Sequence, residues 1–492
     1  MVRPTRDLLT ERIRLLLDEL RNQIREGQLQ AGDYLPSEVK LGKAFRLSKE
    51  SVRRALDELV EEGLVRKIRR VGNQVTANGG RSIGPEHATG GTSAVASVRD
   101  DGGVTSERPN GSGASVGGGG ITIRLAYYPK MEEETMLSSL VADFEREYPG
   151  IRVQLLPASF PYEYAEHGLA DAFTVSAWDA LKLKDRDPLL GLMGPPPFGE
   201  TIHPVLGKPF RDSAGRAAAA PFVFSPVMLC YNRDHLQACG IEEPNDGWTW
   251  YTLLKNARLL ARRLDVWGFA VHIQSLNRWP VFLLQNGFRF WPADDTRASE
   301  DPALWESLRV ARDLIHQQRR SQPLLTENDA DIERWFKEGK ASMIMTTYYG
   351  MNRLRDAEIR YGVAALPSLR TSDTLLLVTG LAVNRNTPHP EAAGELIRYL
   401  CGEKVQMRIR RQTVTLPVHP RALALRNGLL GNRPEGEEAF ADCWPRCRLY
   451  DDLNLGAGVL EAIREELKGY WSRLEDEAEA SERLEPLFGP YS

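Results

Sequence analysis

The sequence predicts a multidomain protein in which a small N-terminal α+β domain is joined by a tether to a large α/β domain. With 492 residues, the chain is too long for one hydrophobic core. Residues 78–120 contain thirteen glycines and no aromatic residue, which is typical of a flexible linker. Beyond this linker, strand-like and helix-like segments alternate to past residue 400, which predicts a sheet with helices on both faces. The predicted domains are therefore 1–77 and 121–492, with the linker between them.

Composition and charge limit the function. The 42% hydrophobic and 26% charged residues are ordinary for a soluble protein. No window offers the roughly 20 apolar residues of a membrane span, and the N-terminus lacks the pattern of an export signal, so we expect a cytoplasmic protein without membrane contact. Five cysteines without a CxxC pair predict neither disulfides nor a metal site, and no cofactor is expected.

The net charge differs between the two parts of the chain. Residues 1–77 hold 16 Lys+Arg against 12 Asp+Glu, which is a net charge of +4. Because the whole chain has a net charge of −4, the remaining residues carry −8. Only the N-terminal domain has the charge that favours DNA.

The N-terminal domain is predicted to contain three helices and a hairpin. A first helix, ending near Gly27, is indicated by apolar residues at helical spacing: Leu9, Ile13, Leu16, Leu20 and Ile24. Ser37 is the expected N-cap of a short second helix, and Ser48 is that of a third, which Gly63 ends. The third helix has one apolar stripe, formed by Val52, Ala55, Leu56, Leu59 and Val60. "LVRKI" and "NQVTA" then predict a two-stranded hairpin.

Polar and basic side chains remain near the N-terminal end of the third helix and at the hairpin tip. A recognition helix places such side chains in the major groove, and a basic hairpin tip can lie over phosphates or reach a minor groove. The predicted DNA-contacting residues are Ser37, Ser48, Lys49, Glu50, Ser51, Arg53, Arg54, Arg69, Arg70 and Gly72. Charges on helices are usually only solvated, but a capped basic helix followed by a basic hairpin favours DNA binding.

"AGDYLPSE" at 31–38 and "SKESVRRALDELVEEGLV" at 48–65 resemble the winged-helix domain of GntR-type bacterial regulators. The resemblance covers about residues 5–77. It implies a winged helix-turn-helix that binds double-stranded operator DNA as a homodimer on a two-fold site. Many members have Arg shortly after the "PSE" motif, where this chain has Val39, so a usual contact is missing. Glu50 repels phosphate but can accept a hydrogen bond from cytosine, which suggests a different base preference.

The large domain opens with a strand, "ITIRLAYYP", an amphipathic helix and a second strand, "IRVQLLPASF". "PFVFSPVMLCYNRD", "GWTWYTLL", "FKEGKASMIM" and "VTGLAV" resemble extracellular solute-binding proteins of the maltose-binding type, over residues 121 to about 425. The resemblance implies a two-lobed, periplasmic-binding-protein-like α/β fold whose lobes close on a ligand, with the chain crossing between lobes near Phe224 and Thr379. Two features depart from the family: its early Pro-Asp is Ala170-Asp171 here, and no export signal or lipid-anchor cysteine is recognised.

Residues around the two crossings are expected to line the ligand cleft. Carbohydrate pockets combine aromatic faces, which cover flat C–H patches of a sugar ring, with polar groups that hold hydroxyls. The ligand-binding candidates are Trp178, Phe222, Phe224, Asn277, Arg278, Trp279, Tyr348, Tyr349, Thr379 and Gly380. An aromatic residue in a large chain is more often part of the core, and this alternative stays open for each candidate. Trp248 and Trp250 are assigned to the core.

The hypothesis from sequence is a ligand-responsive transcription regulator. Its N-terminal domain binds an operator, and its large domain senses a small molecule, with a sugar or oligosaccharide as the expected class. Two alternatives stay open: a solute-binding protein of an uptake system, and a carbohydrate-acting enzyme with a DNA-binding head. No HExxH, GxSxG, P-loop or Cys/His cluster is present, so no catalytic activity is predicted, although the paired carboxylates of a glycosidase leave no local pattern.

Overall fold

The chain divides into two compact units, Met1–Gly119 and Gly120–Ser492. The predicted boundaries at residues 77 and 120 stay predictions, because residues 77–119 lie outside the described part of the chain. The computed structural model describes residues 6–26, 29, 33, 35–36, 41–42, 45, 47, 49–68, 72–76, 120–184, 190–191, 202–212, 214–290, 298–316, 326, 328–425, 434–436 and 443–488.

The first unit contains helices α1 (Arg6–Arg25) and α2 (Lys49–Glu61) and strands β1 (Val65–Ile68) and β2 (Gly72–Val75). The two strands pair antiparallel, with Val65 opposite Val75, so the predicted hairpin is confirmed. The second predicted helix, from Ser37, falls mostly outside the described residues.

The apolar stripes of α1 and α2 pack against the hairpin to form the core of this unit. The Arg21 guanidinium donates to the Glu62 carboxylate at 3.0 Å and links α1 to the end of α2. The predicted stripes are confirmed for Leu16, Leu20 and Ile24 of α1 and for Val52, Ala55, Leu56 and Leu59 of α2, while the Leu9 side chain lies outside the described residues. The most buried core side chains are Leu16, Leu17, Leu20, Ile24, Val52, Ala55, Leu56, Leu59, Val65 and Val75.

The second unit is built on one large mixed sheet. Its strands are β3 (Ile121–Tyr127), β4 (Ile151–Pro157), β5 (Ala172–Ser176), β6 (Leu190–Gly191), β7 (Ala220–Asn232), β8 (Met343–Thr347), β9 (Tyr361–Ala364), β10 (Thr374–Asn384), β11 (Leu416–Pro417) and β12 (Cys447–Arg448). The main path of the sheet has the order β11-β7-β10-β5-β3-β4, with β8 and β9 paired to β7, and β6 and β12 paired to β10. β3 pairs parallel with β4 and β5, whereas β7 and β10 pair antiparallel.

Helices connect these strands and pack on the sheet. Helix α9 (Trp250–Leu264) shows why a helix begins where it does. The Thr249 side chain caps it by accepting a hydrogen bond from the Thr252 N–H at 3.2 Å, and the helix then buries one apolar face. The helices are α3 (Met131–Thr135), α4 (Leu137–Glu147), α5 (Pro161–Glu166), α6 (Ala177–Leu183), α7 (Pro204–Gly207), α8 (Arg233–Ala238), α9 (Trp250–Leu264), α10 (Pro280–Gln285), α11 (Pro302–His316), α12 (Asp329–Lys337), α13 (Tyr348–Met351), α14 (Pro390–Cys401), α15 (Glu403–Gln412), α16 (Pro420–Leu423), α17 (Ala457–Trp471) and α18 (Glu477–Leu484).

β7 is the strand that both halves of the sheet share, and every one of its residues is buried. Residues 220–226 pair with β10, and residues 227–232 pair with β8 and β9. At this change of partners, the Ser225 hydroxyl accepts from the Tyr348 N–H at 2.8 Å and donates to the Pro226 carbonyl at 2.8 Å. The second unit is therefore a two-lobed α/β fold in which β7 runs from one half to the other.

The buried apolar residues of this unit form two cores, and β7 contributes to both: Phe224, Met228 and Cys230 belong to the first, and Val227, Leu229 and Tyr231 belong to the second. The first core includes Phe144 and Phe173, and the second includes Trp250, whose indole N–H donates to the Gln285 side chain at 2.8 Å. The prediction that Trp250 is a core residue is confirmed. Helix α17 completes the second core with the buried side chains Leu460, Ile463, Leu467, Tyr470 and Trp471.

Gly268 allows a segment of the second core to pass close to α9, and this approach generates a stability prediction. A Cβ at Gly268 would lie 1.9 Å from the Ala257 carbonyl oxygen, which is backbone of α9 and cannot rotate away. We expect Gly268→Ala to lower the free energy of unfolding of the second unit by about 1–3 kcal/mol or more, because the two backbones must separate.

Chemical denaturation of the full chain measures this loss. Gly458→Ala is the matched control, because a Cβ at Gly458 meets nothing within 4 Å and the position lies in α17. In this control, the free energy of unfolding is expected to rise by up to about 1 kcal/mol, because Ala has a higher helix propensity than Gly. Equal effects of the two substitutions would contradict the close approach.

Candidate functional site

A cavity of about 630 Å³ opens in the second unit, a size that suits a small ligand. Its wall combines residues from β10, from the ends of several strands and from α12, which are far apart in the sequence. The lining residues are Tyr128, Pro129, Lys130, Met131, Glu134, Ser159, Ser176, Ala177, Trp178, Leu276, Asn277, Arg278, Asp329, Glu333, Thr347, Tyr349, Gly350, Arg353, Leu377, Val378, Thr379 and Tyr450.

Aromatic side chains supply part of the wall. The Trp178 and Tyr450 rings meet edge to face, with centroids 5.1 Å apart. The Tyr450 hydroxyl donates to the Asn277 carboxamide oxygen at 2.5 Å, and the Lys182 ammonium lies 5.5 Å from the Trp178 ring centroid. These contacts hold both rings in fixed orientations, as a stacking surface for a ligand requires.

A second group of hydrogen bonds fixes the wall where β5 meets α6. The Tyr128 hydroxyl donates to the Asp179 carboxylate and accepts from the Ser176 N–H at 2.9 Å. The Ser176 hydroxyl also donates to Asp179, at 2.9 Å. Burial raises the pKa of Asp179 above its usual range, and hydrogen bonds from Tyr128 and Ser176 oppose that rise.

Arg278 is charged yet almost completely buried, with 2% of its area exposed. Its guanidinium lies 3.2 Å from the Asp329 carboxylate and donates to the carbonyl oxygens of Met345 and Asn277, each at 3.2 Å. Asp329 also accepts from the Ser275 hydroxyl at 3.3 Å. The charge of Arg278 is therefore compensated inside the wall.

Glu333 and Arg353 form a second buried ion pair. The Glu333 carboxylate accepts from the Thr346 hydroxyl at 3.0 Å and from Arg353, and Arg353 also lies 3.4 Å from Glu133. Burial raises the pKa of Glu333, and the Arg353 charge opposes this. A Cβ at Gly350 would lie 1.7 Å from the Glu333 carboxylate, so only glycine leaves room for that side chain.

Five of the ten ligand-binding candidates line the cavity: Trp178, Asn277, Arg278, Tyr349 and Thr379. The structure thus brings together residues from four separate segments of the chain. Burial raises the pKa of the Tyr349 hydroxyl well above its usual value, and Thr379 lies beside it. Contact of these five with a ligand stays a prediction.

The other five candidates lie in the hydrophobic interior instead of the cavity wall. Phe222, Phe224 and Tyr348 belong to the first core, and Trp279 belongs to the second, with its ring 6.1 Å from that of Trp471. Gly380 packs against the Phe210 ring. The expectation that they line the cleft is corrected on this geometry, because neighbouring residues of a strand or helix point to different sides.

Several cavity residues were missed in the sequence: Tyr128, Lys130, Glu134, Glu333, Arg353 and Tyr450. Glu333 and Arg353 flank the "TTYYG" segment but belong to different helical segments. Tyr450 lies in a short 3-10 helix, Tyr450–Leu453, about a hundred residues after the other residues of this group. No local pattern identifies such residues, because only the tertiary fold brings them to one wall.

The structure places part of the predicted DNA-contacting surface. In α2, Arg53 and Arg54 are exposed and Ser51 is half-buried, while Val52 and Ala55 face the core. Ser37, Ser48, Arg69 and Arg70 lie outside the described residues, and Lys49, Glu50 and Gly72 are described only as members of α2 and β2. DNA contact by all ten stays a prediction.

Two kinds of feature are absent from the described residues. No group of three or more His, Cys, Asp or Glu side chains among them could hold a metal ion. None of the helices they form is both long and apolar enough to span a bilayer. The five cysteines are buried free thiols, with the sulfur atoms of Cys443 and Cys447 3.6 Å apart.

Two family models match the chain. The model of the bacterial extracellular solute-binding proteins matches residues 128–407, which is more than half of the chain, and the protein belongs to this family. The model of the bacterial regulatory proteins of the gntR family matches residues 13–75, so the N-terminal unit is a GntR-type DNA-binding domain. The winged helix-turn-helix and the solute-binding fold expected from sequence are both confirmed.

Similar proteins fall into two classes, binding proteins and transcription repressors. A putative binding protein of Brucella abortus is 21% identical over 240 residues, or 47% of this chain and 58% of that protein. The mannosyl-D-glycerate transport/metabolism system repressor of Escherichia coli is 40% identical over 62 residues, or 13% of this chain and 26% of the repressor. The chain thus spans little more than half the length of the binding protein and about a quarter of the repressor.

Solved structures support the fold of the large unit. An ABC substrate-binding protein from Listeria monocytogenes, in complex with cycloalternan, superimposes with a TM-score of 0.64. The match covers 75% of this chain and 98% of that protein at 19% sequence identity. At this identity, the similarity establishes the fold alone.

The buried Arg278–Asp329 pair generates a prediction. Arg278→Met leaves the Asp329 carboxylate without its cation, and we expect a loss of about 3–5 kcal/mol in the free energy of unfolding. Arg334→Met is the matched control on α12, because the Arg334 side chain is 59% exposed where it pairs with Asp331 at 3.0 Å. The control is expected to cost less than about 1 kcal/mol. Urea denaturation that gives similar losses for both variants would refute the difference between the two pairs.

Proposed function

We propose that the protein is a cytoplasmic transcription regulator that binds operator DNA and responds to a carbohydrate ligand. The observation that carries the proposal is that one chain joins a GntR-type domain, residues 13–75, to a solute-binding domain with a cavity of about 630 Å³. A GntR-type domain acts on DNA, which is inside the cell, and a solute-binding domain supplies a ligand site. Together they support a sensor that controls DNA binding.

The first unit supports the DNA-binding half of the proposal. Exposed Arg53 and Arg54 lie in the N-terminal half of α2, where a recognition helix contacts base edges. The antiparallel β1–β2 hairpin lies next in the chain, as a wing does. Ion pairs between Arg21 and Glu62 and between Lys67 and Asp57 are within this unit and leave Arg54 available for phosphate or base contact.

The cavity wall supports the ligand half. Trp178, Tyr349 and Tyr450 offer aromatic surface for the C–H faces of a sugar, while Asn277 and Thr379 offer polar atoms for its hydroxyls. The complex of the similar Listeria protein with cycloalternan agrees with a carbohydrate ligand.

The mechanism we propose is ligand-controlled pairing of two heads on a two-fold operator. Ligand closes the lobes about β7 and β10, and it shifts the equilibrium only by its differential affinity for the two arrangements. From its composition alone, the predicted linker of 43 residues, 78–120, is expected to span about 35 Å as a Gly-rich coil and to transmit orientation poorly. The mechanism therefore requires a homodimer, and a monomer in sedimentation with both ligand and operator would rule it out.

An uptake receptor is the second candidate function, and membership of the extracellular solute-binding family favours it. Such a receptor has no use for sequence-specific DNA binding. An enzyme acting on its sugar would form product during incubation, whereas the proposed sensor releases its ligand unchanged.

DNA binding is tested by substitution in α2. Genomic fragments enriched on the full chain serve as probes at about 150 mM salt, where weak non-specific binding is reduced. Arg53→Ala and Arg54→Ala are each expected to weaken binding by about 1–3 kcal/mol, because each removes a cationic contact to a base or phosphate.

Arg14→Ala is the control, since Arg14 is an exposed arginine of α1 in the same unit, 3.9 Å from Asp18. If all three variants bind the enriched fragments like the parent chain, α2 is not the DNA-contacting helix. If no fragment is enriched at all, the uptake receptor becomes the favoured function.

Ligand binding is tested by the melting temperature of the full chain with neutral sugars from glucose to maltotriose. A ligand that binds only the folded state adds about 2.7 kcal/mol to the free energy of unfolding when its concentration is a hundred times its Kd. Trp178→Ala is expected to weaken the binding of a stabilising sugar about tenfold or more, because a stacking face is lost.

Trp335→Ala is the matched control, because Trp335 stacks on Trp267 with ring centroids 6.3 Å apart and does not line the cavity. An equal loss of affinity in both variants would place the ligand outside the cavity. A melting temperature that no sugar raises would contradict the carbohydrate class.

A further inference from the structure

The charges of the cavity wall cancel one another, with two exceptions. Arg278 is paired with Asp329 at 3.2 Å, and Arg353 is paired with both Glu333 and Glu133. A charged ligand would have to compete with these existing pairs. Among the lining residues that the structure describes, Lys130 and Glu134 are the ionisable side chains without an ion pair of this kind.

These two exceptions differ in their surroundings. Lys130 is exposed at the rim, where water can solvate its ammonium, whereas Glu134 is partly buried and lines the interior. An acidic side chain enclosed in this way is costly to ionise. Glu134 is therefore the one interior wall group, within the described residues, whose charge is not matched by a paired partner.

Charges of both signs face Glu134. Lys130 and Arg353 face it as cations, and Glu133 and Glu333 face it as anions. The Tyr349 hydroxyl also faces it, from α13. With Glu134 protonated, the two cations and the two anions balance, so a charged ligand group at this point would lose its hydration without gaining a net electrostatic attraction. An uncharged group does not carry this penalty.

We propose that Glu134 selects the ligand: it binds an uncharged hydroxyl as a carboxylic acid, so that the cavity prefers neutral polyhydroxylated molecules to cationic or anionic ones. The inference rests on the proposed ligand-sensing function. As an acid, Glu134 donates one hydrogen bond and accepts another, whereas an ionised Glu134 can only accept. The Tyr349 hydroxyl is the adjacent donor for the same ligand group.

Protonation of Glu134 near neutral pH is consistent with this role. Burial raises the pKa of its carboxyl to about 7, with Lys130 and Arg353 opposing the rise and Glu133 and Glu333 adding to it. Binding that requires the acid then weakens as pH rises through this value, by up to tenfold for each further pH unit. Binding that required the carboxylate would strengthen over the same range.

The state of Glu134 can be tested without a ligand, on the full chain. Its folded pKa lies above its unfolded value, so its contribution to stability is present below about 4.5 and is lost as pH rises to about 7. The melting temperature of the parent chain should fall relative to that of Glu134→Gln over this window and stay level above it. A constant difference between the parent chain and Glu134→Gln would overturn the inference.

The ligand preference is tested with the neutral sugars already described, and with glucosamine and glucuronate as charged probes. Neutral sugars should bind the parent chain about tenfold more weakly at about pH 8 than at about pH 6, and the affinity of Glu134→Gln should be independent of pH. Tighter binding of glucosamine or glucuronate, or binding that strengthens with pH, would overturn the selection by Glu134 while leaving ligand sensing intact. Failure of every probe to bind would overturn carbohydrate sensing itself, whatever the ligand-free titration gives.

Discussion

The large unit depends on one strand, β7, which pairs with one set of strands along its first half and with another set along its second half. Residues 220–226 pair with β10, and residues 227–232 pair with β8 and β9, so each core is anchored to the same continuous backbone. Pairing with β10 slips by one residue between Thr379 and Gly380, and such a bulge bends a strand. The cavity lies against this part of β10, at Leu377, Val378 and Thr379. A change in the angle between the two halves must therefore pass through its wall.

The charged residues of the cavity are held by the same tertiary contacts that shape it. Arg278 donates to the Met345 carbonyl of β8, and Glu333 of α12 accepts from Thr346 of that strand. Because Arg278 and Glu333 each have a partner of opposite charge in the wall, the cost of burying these two charges is partly offset. Glu134 stands apart because burial acts on its carboxyl without a paired cation, and its protonation is the way a buried acid avoids that penalty.

The two units of the chain differ in the physical basis of what they bind. The first 77 residues carry a net +4, which favours DNA, while the remainder carries −8. The large unit instead offers a concave site of balanced charge, as a neutral ligand requires. The regulator that we propose would separate electrostatic recognition of DNA from the aromatic and hydrogen-bonding recognition of a small molecule.

The sequence by itself determined the two fold classes, because helical stripes, caps and strand alternation are local features that survive in the structure, as in Val52, Leu56 and Leu59 of α2. It also predicted Asn277 and Arg278 for the cleft, and both line the cavity. Only the tertiary structure decided that Trp279, the next residue, faces the second core, and that Glu134 and Tyr450 join the wall. The reason is physical: a side chain's direction depends on what packs against its element, and a cavity gathers residues that are hundreds of positions apart.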